Sequence, residues 1–383
     1  MHVERSTSRH LPLLAAATAV VLIVTACGSG ATTAPASSTA PAASSAPASA
    51  APASAAPAAS AAASSAPASA APAASSAPAA SAAAVSGPPL KVALVAPSAQ
   101  NDLAFTQSMV EALKSMQAQY NLQISITDNE FVVSDAGNAI QKYASEGYNL
   151  IIAHGSQYGS TVQQLAPQFP KVSFAWGTAG STYNLPNVFA YQAASNEGGY
   201  VQGAMAAMLS KSHVLGVIGP IAVGDAKLYV DGFVAGAKSV DKTITVNPVY
   251  TGSFSDASLF ATAAKTFVSG GADVLTGTAQ AVVGAIGVAR ADNLPWFGTQ
   301  WTQASLAPKN EVSAQVYNWV PVLKQIFTEI RGGTLGGATY TIGLGNGGEV
   351  VQYNPGYPLP ANVKAKADSL IKAITDGTLT PPQ

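Results

Sequence analysis

From Leu90 onward the chain alternates short apolar runs with amphipathic stretches of about ten to fifteen residues, and this alternation limits its fold more than any other feature. Runs of strand type occur at 90–95, 123–127, 150–153, 172–175, 188–191, 214–218, 243–250, 272–275 and 296–298. After the first run, Met109, Leu113 and Met116 recur at helical spacing. Further helical patterns fill 134–146, 160–167, 196–209, 231–240, 255–269 and 279–291, and two more follow at 322–330 and 363–376. Strands that alternate with helices imply an α/β protein with parallel sheets and right-handed crossovers. A body of close to 300 residues exceeds one core and points to two lobes. Open sheets of this kind bind ligands beyond the carboxyl ends of their strands, so the informative residues should follow each strand.

The segment before Leu90 has a different character. Arg5, Arg9 and two histidines precede an uncharged run from Leu11 to Ala26, the layout of a secretory signal. At about 16 residues the run is short for a membrane-spanning helix, which needs roughly 20. It ends in Val24-Thr25-Ala26-Cys27-Gly28, which resembles the lipobox of bacterial lipoproteins. That resemblance implies removal of residues 1–26 and lipid on the Cys27 thiol. Cys27 is the only cysteine, so it has no disulfide partner. From Gly28 to about Pro88 the chain is almost wholly Ala, Ser, Pro and Thr and carries no charge. Such a tract buries too little apolar surface to offset its ordering entropy, and its prolines oppose a helix. The expected layout is a signal peptide at 1–26, a lipidated cysteine and disordered stalk at 27–88, and a ligand-binding body at 89–383. The expected location is the outer face of the cell membrane, with the chain held there by its lipid.

Lys and Arg number 18 against 19 Asp and Glu, so no basic excess is available for nucleic acid. The segments after the strands suit a small uncharged ligand better. Asn101-Asp102 and Phe105 follow the first strand; Asp102 can accept hydrogen bonds from ring N–H groups and Phe105 offers a stacking face. The competing reading is that Asp102 caps the helix and Phe105 is core. Gly155, Ser156 and Tyr158 follow the third strand without the Gly-Lys-Ser/Thr ending of a phosphate loop. Asp225–Tyr229, Phe254, Gln300 and Trp301 stand after later strands, and aromatics with a few directed polar groups are the usual anatomy of a small-molecule cleft. Two widely separated histidines, His154 and His213, make a poor metal set, so neither metal nor cofactor is expected. With no Gly-x-Ser-x-Gly elbow and no His-Glu-x-x-His, binding without catalysis is the simpler expectation.

These segments resemble the basic membrane protein family of substrate-binding lipoproteins, whose members include purine-nucleoside receptors of ATP-driven importers. The marks are Asn101-Asp102-x-x-Phe105, Asn196-Glu197-Gly198-x-Tyr200-x-x-Gly203, Asp231-Gly232-Phe233-x-x-Gly236-x-Lys238, Tyr250-Thr251-Gly252-Ser253-Phe254-x-Asp256 and Gly343-x-Gly345-Asn346-Gly347-Gly348. The resemblance implies a type I periplasmic-binding fold: two doubly wound lobes joined by three crossovers at a hinge. It puts lobe 1 at about 89–193 and 298–325, and lobe 2 at about 194–297 and 326–383. It implies a purine ring held between Phe105 and Tyr229, with Asp102 reading the base. On the sugar side, Gln300 and Tyr317 stand where the family carries an aspartate and a lysine. This departure suggests a heterocycle without ribose, with Trp301 filling the space. The implied partners are that small molecule and an ABC permease, and such receptors act as monomers. The alternative is a surface lipoprotein that senses a ligand and signals to a receptor.

Overall fold

In the computed structural model, which describes residues 87–383, the alternation builds two six-stranded sheets of the same winding. The signal peptide, Cys27 and the Ala/Pro/Ser tract as far as residue 86 lie outside the described residues. The first lobe runs β1 (Leu90–Val95), α1 (Phe105–Met116), β2 (Leu122–Thr127), α2 (Val133–Ser145), β3 (Leu150–Ala153), α3 (Gly159–Leu165), β4 (Ser173–Gly177) and β5 (Val188–Ala193). The second runs α4 (Ser195–Leu209), β6 (Val214–Gly219), α5 (Gly224–Val240), β7 (Thr245–Tyr250), α6 (Ala257–Ser269), β8 (Val274–Gly277), α7 (Val282–Ala291), β9 (Trp296–Gly298) and β10 (Glu311–Tyr317). The chain then returns to the first lobe with α8 (Val320–Arg331) and β11 (Thr339–Ile342), and ends in the second with β12 (Glu349–Tyr353) and α9 (Ala361–Thr375).

Sheet order is β2-β1-β3-β4-β5-β11 in lobe 1 and β7-β6-β8-β9-β10-β12 in lobe 2. All pairings are parallel except β10 with β12. Both faces of each sheet are covered. In β1, Val92 and Leu94 enter one core cluster while Ala93 and Val95 enter another. In β3, Leu150 and Ile152 join the first and Ile151 and Ala153 the second. The strand's two-residue period thus divides its side chains between two helical layers.

In lobe 2, α4 and α5 pack backbone against backbone. A methyl at Gly203 would overlap the Phe233 carbonyl, and one at Gly236 would overlap the Tyr200 carbonyl. Gly199 and Gly232 face the Tyr229 and Asn196 carbonyls in the same way. Glycines four residues apart on each helix therefore form the contact stripe, which accounts for Gly203 in the first motif and for Gly232 and Gly236 in the second.

The lobes are joined at 194, 318–319 and 343–348, three crossovers in all. The lobe boundaries drawn from the family resemblance need correction. Residues 298–317 belong to lobe 2, because β10 pairs with β9 and β12 there. Residues 326–342 belong to lobe 1 together with 320–325, which were expected there: Val322, Leu323, Ile326 and Phe327 of α8 pack with Leu94 and Met109. The chain leaves lobe 2 only after β10 because that strand is buried almost throughout and is hydrogen-bonded on both edges.

Candidate functional site

In each sheet the strand order reverses direction between the first strand and its third-in-sequence neighbour: β1/β3 in lobe 1 and β6/β8 in lobe 2. These are the points where helices leave to opposite faces and a crevice opens. The loops after all four strands converge on one cavity of about 330 Å³ between the lobes. Pro97, Ser98, Gly155 and Ser156 come from lobe 1; Val223, Gly224, Thr278 and Gln280 come from lobe 2. The volume is at the lower end of the range for small-molecule sites.

Phe105, the first residue of α1, lines this cavity. His154 stacks on one face of its ring, with centroids 3.8 Å apart and planes 2° from parallel. The imidazole is fully buried and bonded at both nitrogens, Nε2 to the Phe105 carbonyl oxygen at 3.2 Å and Nδ1 to the Tyr191 hydroxyl at 2.7 Å. A carbonyl only accepts, so Nε2 carries the proton and Nδ1 accepts from Tyr191 O–H. Burial depresses the His154 pKa to about 3, so the ring is neutral. It acts as a flat support behind Phe105, and the cavity meets the ring's remaining surface.

Across the cavity, Asp225 lies in the first turn of α5 and is 6% exposed. Its Oδ1 accepts the Ala193 N–H at 3.4 Å and its Oδ2 has no partner. Desolvation raises its pKa to about 7, against the lowering effect of the Ala193 hydrogen bond. Tyr317 donates to or accepts from Ser195 Oγ at 2.8 Å, and burial, Asp225 and Glu349 together push its hydroxyl well above the usual range. Gln300 lines the same wall, with its Nε2 buried and unpartnered.

Of the residues expected at the site, Phe105, Gly155, Ser156, Asp225, Phe254, Gln300 and Tyr317 wall the cavity. The others do not, and each has a physical reason. Asp102 caps α1: its carboxylate accepts the backbone N–H groups of Ala104, Thr106 and Gln107 and the Ser98 hydroxyl. Asn101 is exposed, outside the lining. Tyr158 is fully buried, with its hydroxyl on the Glu130 carbonyl. Tyr229 is core rather than a stacking partner, because α5 begins at Gly224 and turns it inward. Its hydroxyl bonds Gln202 Oε1 and Thr276 Oγ1, both at 2.6 Å. Trp301 lines a separate hollow with Ser108, Thr302 and Trp319, so it fills no sugar space in the main cavity.

Sequence reasoning missed Asn129, Phe131, Gln157, Thr178 and Gln280, all in the wall. Phe131 follows β2, in a segment with no glycine-rich signal to mark it. Its ring centroid is 6.4 Å from that of Phe254 on the other lobe. Gln280 Nε2 donates across the cleft to Ser98 Oγ at 3.1 Å and Asp102 Oδ2 at 3.3 Å, and Thr302 Oγ1 donates to the Leu103 carbonyl at 2.8 Å. The lobes are therefore closed on one another. Among the described residues no group of acids, histidines and cysteines could hold a metal ion, and no helix is long and apolar enough to cross a membrane.

A family model described as ABC transporter substrate-binding protein PnrA-like (Bmp) matches residues 90–375. The chain is similar to a purine-binding protein of Brucella abortus, at 29% identity over 294 residues, 76% of this chain and 83% of that protein. It is similar to the transcriptional activator protein Med of Bacillus subtilis, at 27% identity over 258 residues, 67% of this chain and 80% of that one. A nucleoside-binding protein of an ABC transporter in Lactococcus lactis is 29% identical over 318 residues, 76% of this chain and 89% of the relative. A solved solute-binding protein of an ABC transporter system from Conexibacter woesei superposes with a TM-score of 0.65 at 24% identity, covering 76% of this chain and 98% of that chain. At that identity the likeness carries the fold.

Proposed function

The chain belongs to the Bmp family of PnrA-like ABC transporter substrate-binding proteins, and from that premise we propose that it captures a purine nucleoside, nucleobase or similar aromatic heterocycle between its lobes for an importer. Family and fold alike are those of solute-binding proteins. The observation that carries the reading is the cavity at both topological switch points, walled by a Phe105 ring that His154 holds flat from behind. A planar heterocycle is the ligand such a surface suits, because offset stacking adds to the burial of its faces. The relatives named as purine-binding and nucleoside-binding support the same class. Gln300 and Tyr317 supply uncharged polar groups, so the ring is the main determinant and ribose is an accessory. Ligand leaves unchanged; the protein is a binder and not an enzyme.

The body is exported and tethered at the outer face of the membrane by lipid on Cys27, with 28–88 as an uncharged stalk. A tether of that kind keeps the receptor at high effective concentration near its permease, as a monomer that closes and opens on ligand.

Thermal-shift screening and calorimetry on the detergent-solubilised full-length chain, with purine nucleosides and nucleobases, test the binding reading. Stabilisation that saturates with ligand is expected. If no purine base or nucleoside raises the melting temperature, or if a product forms, the reading is wrong. Mass spectrometry of the exported protein, compared with a Cys27→Ala variant, tests the anchor.

A second reading has one observation in its favour, the similarity to a transcriptional activator protein. In it the closed, ligand-bound form signals to a receptor instead of feeding a permease. Deleting the neighbouring permease would separate the two, since only the importer reading loses ligand uptake.

A further inference from the structure

We propose that Asp225 makes the interlobe cavity selective by charge, so that it accepts uncharged or cationic rings that offer an N–H to this carboxyl and refuses anionic ones, phosphate esters included. The inference rests on the interlobe cavity being the ligand site.

Among the described residues Asp225 is the one acidic side chain in the cavity wall, and no lysine, arginine or histidine lines it. The side chain is 6% exposed, and its Oδ2 has neither a partner nor contact with bulk solvent. A buried carboxylate oxygen without a donor is costly, and a ligand N–H removes that cost once the carboxyl turns about its Cβ–Cγ bond toward the cavity that the residue lines. A second negative charge in the same space would meet no counter-ion. Two more carboxyls stand behind the wall. Glu349 accepts the Gly198 N–H at 3.3 Å and Glu197 accepts the Leu344 N–H at 2.7 Å. Asp225 and Glu197 both act on Glu349 electrostatically, in the direction that opposes its ionisation. None of the three forms a salt bridge among the described residues. Burial raises the pKa of Asp225 itself to about 7, the response expected of a carboxyl taken out of water, against the lowering effect of the Ala193 hydrogen bond.

The remaining wall favours cations for an independent reason. Phe105, Phe131, Phe254 and Tyr317 present aromatic surface, whose faces carry the negative part of the ring quadrupole. Carboxyl and aromatic faces together attract a positive ring and tolerate a neutral one, while an anion is repelled by both.

Three probes that share one ring and differ in charge read this directly: benzamidine, benzamide and benzoate, at millimolar concentration with the full-length chain in detergent, by saturation-transfer NMR. Benzamidine should bind more tightly than benzamide by about tenfold, and benzoate should give no signal. In Asp225→Asn the ratio of benzamidine to benzamide affinity should fall by about tenfold. Asp225→Ser serves if the asparagine variant does not fold. Benzoate binding as well as benzamidine, an unchanged ratio in the folded variant, or no binding by any probe overturns the proposal. Adenosine and its 5′-monophosphate run in parallel. If adenosine fails to bind while the charge order of the probes holds, the purine reading falls and charge selection stands. If adenosine and its monophosphate bind equally, charge selection falls and the purine reading stands.

Discussion

The rings of Phe105 and His154 lie 3.8 Å apart and 2° from parallel, and the same imidazole donates to the Phe105 carbonyl. One residue from the loop after β3 thereby sets both the backbone and the side chain of one after β1. The two loops flank the switch point of lobe 1, so the support is built where the ligand is expected to lie. Replacing His154 by alanine removes the stack and leaves the buried Tyr191 hydroxyl unpaired. Stability should fall by about 2–3 kcal/mol in urea denaturation, and purine affinity should weaken as Phe105 loses its backing. An alanine variant as stable and as tight as wild type would refute this role.

His154 and Asp225 should tilt the pH profile in opposite directions. His154 has a folded pKa of about 3 against an ordinary 6.5, so the unfolded chain binds more protons between these values. Its contribution is present above pH 6.5 and is lost as pH falls. Asp225 has a folded pKa of about 7 against 3.8, so the folded chain binds more protons in that interval. Its contribution is present below pH 3.8 and is lost as pH rises through 7, by up to about 4 kcal/mol. Denaturation midpoints of Asp225→Asn between pH 4 and 8 should therefore decline less with rising pH than those of wild type. Parallel profiles would show that Asp225 does not titrate in this way.

The α4–α5 contact leaves no room for a methyl group. Gly203→Ala or Gly236→Ala should cost at least about 2 kcal/mol, because the added carbon meets backbone carbonyls that cannot move without separating the helices. A melting temperature unchanged from wild type in either variant would be incompatible with this packing.

Gln280 reaches across the cleft to Ser98 and Asp102. Truncation to alanine removes hydrogen bonds made only when the lobes are closed. Calorimetry should show about fivefold weaker ligand binding, the equivalent of roughly 1 kcal/mol taken from the closed state. Small-angle scattering should show more open molecules at equal ligand concentration, and an unchanged closed fraction would exclude a closing role.

Tyr229 gives the contrasting case. Tyr229→Phe loses hydrogen bonds to Gln202 and Thr276 deep in lobe 2 and should lower stability by about 1–2 kcal/mol. Ligand affinity should stay within about twofold of wild type. A large loss of affinity at full stability would return Tyr229 to the site.

Much of the scaffold was legible before any coordinates. Buried parallel strands such as Leu150–Ala153 read as continuous apolar runs. By contrast β11, Thr-Tyr-Thr-Ile, is an edge strand with two of its four residues exposed, and polar alternation of that kind also suits a loop. The start of α5 was hidden as well. Gly224 opens the helix with φ at +52°, a conformation that reads as a turn, although Ala226, Tyr229, Val230 and Phe233 already stand at helical spacing. This missed turn of helix is what moved Tyr229 from the cleft to the core.

The sequence by itself determined the α/β winding, the two-lobed size and the family, because strand and helix periods and a spaced set of glycines and aromatics are properties of local order. Tertiary structure alone decided which lobe each late element joins and which residues after the strands reach the cavity. Asp102 and Asp225 are both acids near a helix start after a strand, yet the first commits its oxygens to α1 while the second lines the cavity and keeps one buried oxygen unpartnered. Only the placement of neighbouring donors, brought together from distant parts of the chain, separates them.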